Sequence, residues 1–136
     1  MVAFNKFNAF VENVAEGVHN LQSNQLRIAM TNTAPVATNS VLADLTEISY
    51  TNLSSRLVTT SASAQSGGVY KLTCADLVLT ASGGSVGPFR YIVLYNDTPA
   101  SKPLIGWYDY GSSITLQSGE TLTIDFDQVN GVLTIT

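Results

Sequence analysis

The chain has very few groups suited to acid–base or thiol chemistry. Of its 136 residues, one is histidine and one is cysteine. A lone cysteine forms no internal disulfide, so the fold has to stand on its core. Cys74 sits in Tyr70-Lys71-Leu72-Thr73-Cys74-Ala75-Asp76, with no histidine or basic cluster beside it to favour a thiolate. It reads as a small buried hydrophobe. Charge is also scarce. Asp, Glu, Lys and Arg make up 12% of the chain, about half the usual share. Six basic residues face ten acidic ones, for a net charge of −4, which excludes a basic nucleic-acid binder. No apolar run approaches the roughly 18 residues that would make a membrane-spanning helix. The first ten residues alternate Phe with Asn and Ala and lack the basic start and apolar stretch of a signal peptide, so cytoplasmic synthesis is expected.

What is present is a good supply of core. Apolar residues make up 45% of the chain, too many for a disordered segment. The length suits one domain with one core. Thr, Ser and Asn are left to keep the surface wet.

Two periodicities divide the sequence. Phe4, Phe7, Val11, Val14, Val18 and Leu21 recur at alternating spacings of three and four, which predicts one amphipathic helix ending near His19-Asn20. The stripe is too short for a free coiled coil, so it must lie on its own sheet or on a partner. Val11, Val14 and Val18 are assigned to the sheet. Phe4 and Phe7, at the free end of the stripe, are candidate partner contacts, with Phe4 favoured. Residues 1–25 thus form a helical segment and residues 26–136 a β domain.

From Leu26 onwards the pattern is that of strands. Leu26–Thr31 alternates. Val41, Leu42, Leu45 and Ile48 allow a short helix or an extended run. Tyr50 to Ala64 reads as a loop with a strand at Arg56–Thr60. Val69 to Thr80 alternates with a parity shift at Ala75-Asp76, the mark of a bulge or a change of face. Phe89–Tyr95 is apolar almost throughout and is the candidate central strand, buried on both faces. Leu104–Tyr110, Ile114–Leu116, Leu122–Phe126 and Val132–Ile135 follow. Asn130-Gly131 is a two-residue hairpin signal between the last two. Seven or eight short strands at regular spacing predict a mainly β fold: an antiparallel, jelly-roll-like β-sandwich with an N-terminal helix.

Candidate chemistry is thin. His19 has no G-x-S-x-G elbow or triad partner in view. At a helix end it would interact with the last carbonyls. Asp125 and Asp127 lie two apart and would share a side of a strand. With Asp109 or Glu120 they would offer oxygens to Ca²⁺, but no calcium-loop motif is present. The residues therefore point to no catalytic group, no metal and no cofactor. Trp107, Tyr108 and Tyr110 form the densest aromatic group. Alternation puts Trp107 and Asp109 on one face and the tyrosines on the other. The exposed members would serve as an interface anchor or a sugar platform, and the alternative is that both tyrosines are core.

Several runs carry a resemblance. They are Gly17–Leu21 with Leu26–Pro35, Phe89–Thr98 with Leu104–Ser113, Gly119–Phe126, and Asn130–Thr134. Together they resemble small virion proteins of tailed bacteriophages, some of which resemble capsid decoration, or cement, proteins. The segment from Tyr50 to Gly68 is unmatched. The resemblance implies a structural protein of the capsid surface that self-associates, most readily as a trimer, and clamps the major capsid protein. It implies no enzyme activity, no nucleic-acid partner and no membrane. The alternative is a tail-associated or receptor-binding module that holds a glycan on aromatics near Trp107.

Overall fold

A computed structural model describes residues 2–136. It is mainly β, with 47% of residues in strands and 8% helical, in antiparallel sheets that do not close. The strands are β1 (Phe4–Lys6), β2 (Leu26–Thr31), β3 (Leu57–Val58), β4 (Thr60–Ser66) and β5 (Val69–Cys74), followed by β6 (Leu77–Thr80), β7 (Val86–Asn96), β8 (Leu104–Leu116), β9 (Thr121–Ile124) and β10 (Leu133–Ile135). One helix, α1, spans Asn8–Ala15, and Leu42–Asp44 makes one 3₁₀ turn. Nine strands follow residue 25, where seven or eight were expected. The additions are short, or poor in apolar residues.

A five-stranded sheet has the order β1-β8-β7-β2-β3. β7 is its middle strand, and Tyr91 to Asn96 are all buried. The expectation of a two-sided central strand therefore holds. On the inner face, Leu26, Ile28, Met30, Ile92 and Leu94 enter the main core. They meet Leu72, Cys74, Leu79, Ile124 and Leu133 from a three-stranded sheet, β10-β5-β4, and a two-stranded sheet, β6-β9. On the outer face, Ala29, Val93, Tyr95 and Leu104 form a second cluster around Phe7, with Leu42, Leu45 and Trp107 against it. Both faces are apolar because both are covered, which is why β7 shows no alternation.

The N-terminus departs from the single helix. Phe4–Lys6 is a strand paired with Gly106–Tyr108. The helix begins only after Phe7, whose N–H donates to the Ile105 carbonyl at 3.1 Å. It ends at Ala15, not at His19-Asn20, and Gly17 just beyond it has φ +77°. The Val18 N–H donates to the Asn13 carbonyl at 2.8 Å and the Gly17 N–H to that of Val14 at 3.3 Å. Those two bonds are a Schellman closure, and the left-handed residue it needs is most readily glycine. With this shorter helix, Phe10 is buried and Val11 is 54% exposed, so Val11 does not lie on the sheet. Val14 packs on the main core and Val18 is half-buried. Phe7, Phe10 and Leu21 all enter the cores, so residues 2–25 share them with the β strands.

The parity shift at Ala75-Asp76 is a change of sheet: β5 pairs with β4 and β10, and β6 pairs with β9. Asn130-Gly131 does not close a hairpin. β9 and β10 belong to different sheets, so this turn hands the chain from one to the other.

Candidate functional site

The aromatic group and the acidic pair come closest to a site, and the structure distributes them over both faces of β8. Alternation along Trp107–Tyr110 is as expected. Trp107 lies on the outer face, half-buried, with its ring centroid 4.6 Å from that of Phe7. Asp109, on the same side, takes a bidentate ion pair from Arg90 at 2.8 and 3.1 Å and accepts the Gly111 N–H at 2.8 Å. The Arg90 guanidinium holds the Asp109 carboxyl below its ordinary range.

Tyr108 faces the main core and is 6% exposed. Its ring lies 5.3 Å from that of Phe4 and 6.3 Å from that of Phe126. Burial drives its hydroxyl well above the ordinary phenol range. Tyr110 is half-buried against the same core, and burial together with Asp125 raises its hydroxyl too. A crevice of about 140 Å³ runs between Tyr108, Tyr110, Thr123 and Asp125. The tyrosines are thus chiefly core, and the five aromatic candidates form no continuous exposed platform. Phe7 is fully enclosed by the chain's own sheet. Phe4 is half-buried over Tyr108, and of the two it keeps surface to offer a partner.

Asp125 and Asp127 are not companions on a strand, because β9 ends at Ile124. Asp125 is exposed. Asp127 caps the turn that follows. Its Oδ1 accepts the Val129 and Asn130 N–H groups at 2.9 and 2.8 Å, and its Oδ2 accepts Asn130 Nδ2 at 2.9 Å. These donors hold the Asp127 carboxyl below the usual range. A carboxylate so engaged has few lone pairs left for a cation. Among the described residues no group of three or more His, Cys, Asp or Glu side chains gathers in one place.

His19 is not at a helix end. It is buried, 8% exposed, with its ring 5.3 Å from that of Phe10. Asn96 Nδ2 lies 3.1 Å from His19 Nδ1 and donates to Asn24 Oδ1 at 2.8 Å, while Asn96 Oδ1 accepts the Thr98 N–H at 3.1 Å. That orientation of the amide makes His19 Nδ1 the acceptor and leaves the proton on Nε2, which has no hydrogen-bond partner in the chain. Burial depresses His19 from 6.5 to about 4. Nothing in its sequence neighbourhood signals this, since its hydrogen-bond partner Asn96 lies 77 positions away.

A pH dependence follows. Above pH 6.5 the imidazole is neutral both folded and unfolded and contributes nothing. Between 6.5 and about 4 only the unfolded chain takes up the proton, so stability falls as the pH is lowered through that window. The expected loss is at most about 3 kcal/mol. In urea titrations His19→Gln should flatten the slope between pH 4 and 6.5, whatever its effect at neutral pH. An unchanged slope would assign the dependence to other groups.

Cys74 is fully buried, and burial raises its thiol to about 11. This agrees with the reading of an inert small hydrophobe. No family model, curated protein or solved structure matches the chain.

Proposed function

We propose that the chain is a virion structural protein, a capsid decoration protein that self-associates and binds the major capsid protein to stabilise the shell. In this reading its antiparallel sheets form a jelly-roll-like β-sandwich, and the resemblance points to a trimer as the assembled unit.

The observation that carries the reading is where the resemblance falls. Two of its three longest runs, Phe89–Thr98 and Leu104–Ser113, coincide with the paired strands β7 and β8 at the heart of the five-stranded sheet. The likeness thus lies in the frame of the fold. The surface supports it as well. Five of the six basic side chains are engaged within the chain. Arg27 and Lys102 pair with Asp97, at 3.2 and 2.9 Å, and Arg90 pairs with Asp109. Arg56 donates to the Ile28 carbonyl and lies over the Tyr50 ring, and Lys71 donates to the Val129 carbonyl. What remains is rich in Ser, Thr and Asn, and free lysine is depleted at protein interfaces.

Electron cryo-microscopy of virions that carry the chain tests the proposal. The expected result is a regular array on the shell, in contact with the major capsid protein. Density confined to one vertex would overturn it and assign the chain to the tail. Absence from the virion would also overturn it.

A further inference from the structure

The free sheet edges differ sharply in length. At the ends of the five-stranded sheet, β1 and β3 have three and two residues, and β1 covers only Gly106–Tyr108 of β8, whose continuation to Leu116 has β7 as its one partner strand. β6 and β9 have four each, and β10 has three. β4 has seven, Thr60–Ser66, and ends the order β10-β5-β4. One side of it is paired with β5. On its other side no backbone–backbone hydrogen bond reaches it among the described residues, and the one contact there is Thr60 Oγ1 donating to the Leu21 carbonyl at 3.5 Å, at the start of the strand.

Long edges are usually guarded by lysine, proline or a bulge, because unpaired N–H and C=O groups recruit another strand. Thr-Ser-Ala-Ser-Ala-Gln-Ser has no charge and no proline. Its one irregularity lies at the start, between Thr60 and Ala62, and leaves Ala62–Ser66 regular. The segment is also close to self-complementary about Ser63. Antiparallel pairing with a second copy across a twofold axis at Ser63 sets Ser63 opposite Ser63, Ala62 opposite Ala64, and Ser61 opposite Gln65. No charge then faces a like charge, and the small side chains let the backbones reach the about 4.8 Å spacing of a sheet.

Grooves lie on the two faces of this sheet next to β4. One of about 550 Å³ separates β4 from the segment Gly17–Gln22, and one of about 230 Å³ lies beside Val69 and Lys71. Val69, at 38% exposure, borders the second and adds apolar surface.

We propose that β4 is a self-association edge. Two copies join antiparallel through it and merge their three-stranded sheets into one of six strands. The contact stands whether or not the chain decorates a capsid. On a shell it would link neighbouring units across a twofold axis. Pairing one strand buries less than a standard interface, so a dissociation constant of about 10–100 µM is expected.

Sedimentation equilibrium of the full chain from about 1 to 500 µM spans that constant and tests it. The wild type should double in mass reversibly. Ala62→Lys with Ala64→Lys should stay monomeric, as should Ala62→Glu with Ala64→Glu. An equimolar mixture of the two should recover the dimer, because this register sets lysine opposite glutamate. Both alanines are exposed, so melting curves should stay close to wild type. If either pair fails to fold, Ser63→Cys serves instead. Mild oxidation should link it across the axis. A wild type that stays monomeric throughout overturns the proposal. So does an association that the lysine pair leaves intact, or a Ser63→Cys chain that resists linkage.

Discussion

Phe7→Ala is expected to lower stability by about 3–5 kcal/mol, the usual cost of truncating a fully buried Phe. Phe7 is 0% exposed and fills the outer cluster between Ala29, Val93, Tyr95 and Leu104, with the Trp107 ring tilted against it. The cavity walls belong to the paired strands β2, β7 and β8, whose hydrogen-bond ladders resist collapse into it. For a domain of this size the loss is a large share of the total stability. Phe4→Ala should cost only about 1–2 kcal/mol, since Phe4 is half-buried and loses less transfer energy. Urea titrations of both variants check the pair of values. Equal losses, or a Phe7→Ala chain that unfolds at the wild-type midpoint, would show that the outer cluster is not closed by Phe7. Under the proposed capsid role, Phe4→Ala is the one of the two variants expected to weaken attachment at unchanged fold, because Phe4 retains free surface and Phe7 does not.

The second large effect is expected at Gly131, where Ala should cost about 2–4 kcal/mol. Two causes act together. Its φ is +81°, a conformation that L side chains rarely adopt. A Cβ there would also sit 2.7 Å from the Leu72 carbonyl oxygen and 2.5 Å from Lys71 Cγ. Lysine can swing away, but the carbonyl belongs to β5 and accepts the Val132 N–H at 2.7 Å. Gly119→Ala separates the two causes. Its φ is +90° with nothing within 4 Å, so it should cost only about 1 kcal/mol. Similar thermal shifts for the two variants would show that close approach to β5 contributes little.

Gly131 also illustrates the limits of local reading. Asn130-Gly131 is a genuine turn, with the left-handed glycine the pattern implies. Whether the turn folds a strand back on its neighbour or passes it to another sheet depends on where β5 and β6 already lie, many residues upstream. Asp127 is similar. Two aspartates two apart read as one side of a strand, but the strand ends at Ile124, where the Phe126 N–H turns to Asp76 Oδ1 at 2.9 Å. The carboxylate then serves the turn. β4 was illegible for a different reason. Its Ser and Ala residues carry no apolar alternation, and it becomes a strand because β5 offers it a full row of hydrogen-bond partners.

By itself the sequence determined the β class and the two-sided central strand Phe89–Tyr95. It also determined the opposed faces of Trp107 and Tyr108, the break at Ala75-Asp76, and the inert Cys74. Each of these rests on local periodicity, on glycine and proline punctuation, or on simple hydrophobicity. Only the tertiary structure decided that the N-terminal stripe divides into β1 and α1. Phe4 and Phe7 satisfy a helical spacing, yet the edge of β8 supplies backbone partners to Phe4–Lys6 and the outer face of the sheet encloses Phe7. Only the tertiary structure, too, buried His19 against Asn96 and left β4 as an open edge. Partner strands and desolvation come from residues far away in the chain, and no window of neighbouring residues encodes them.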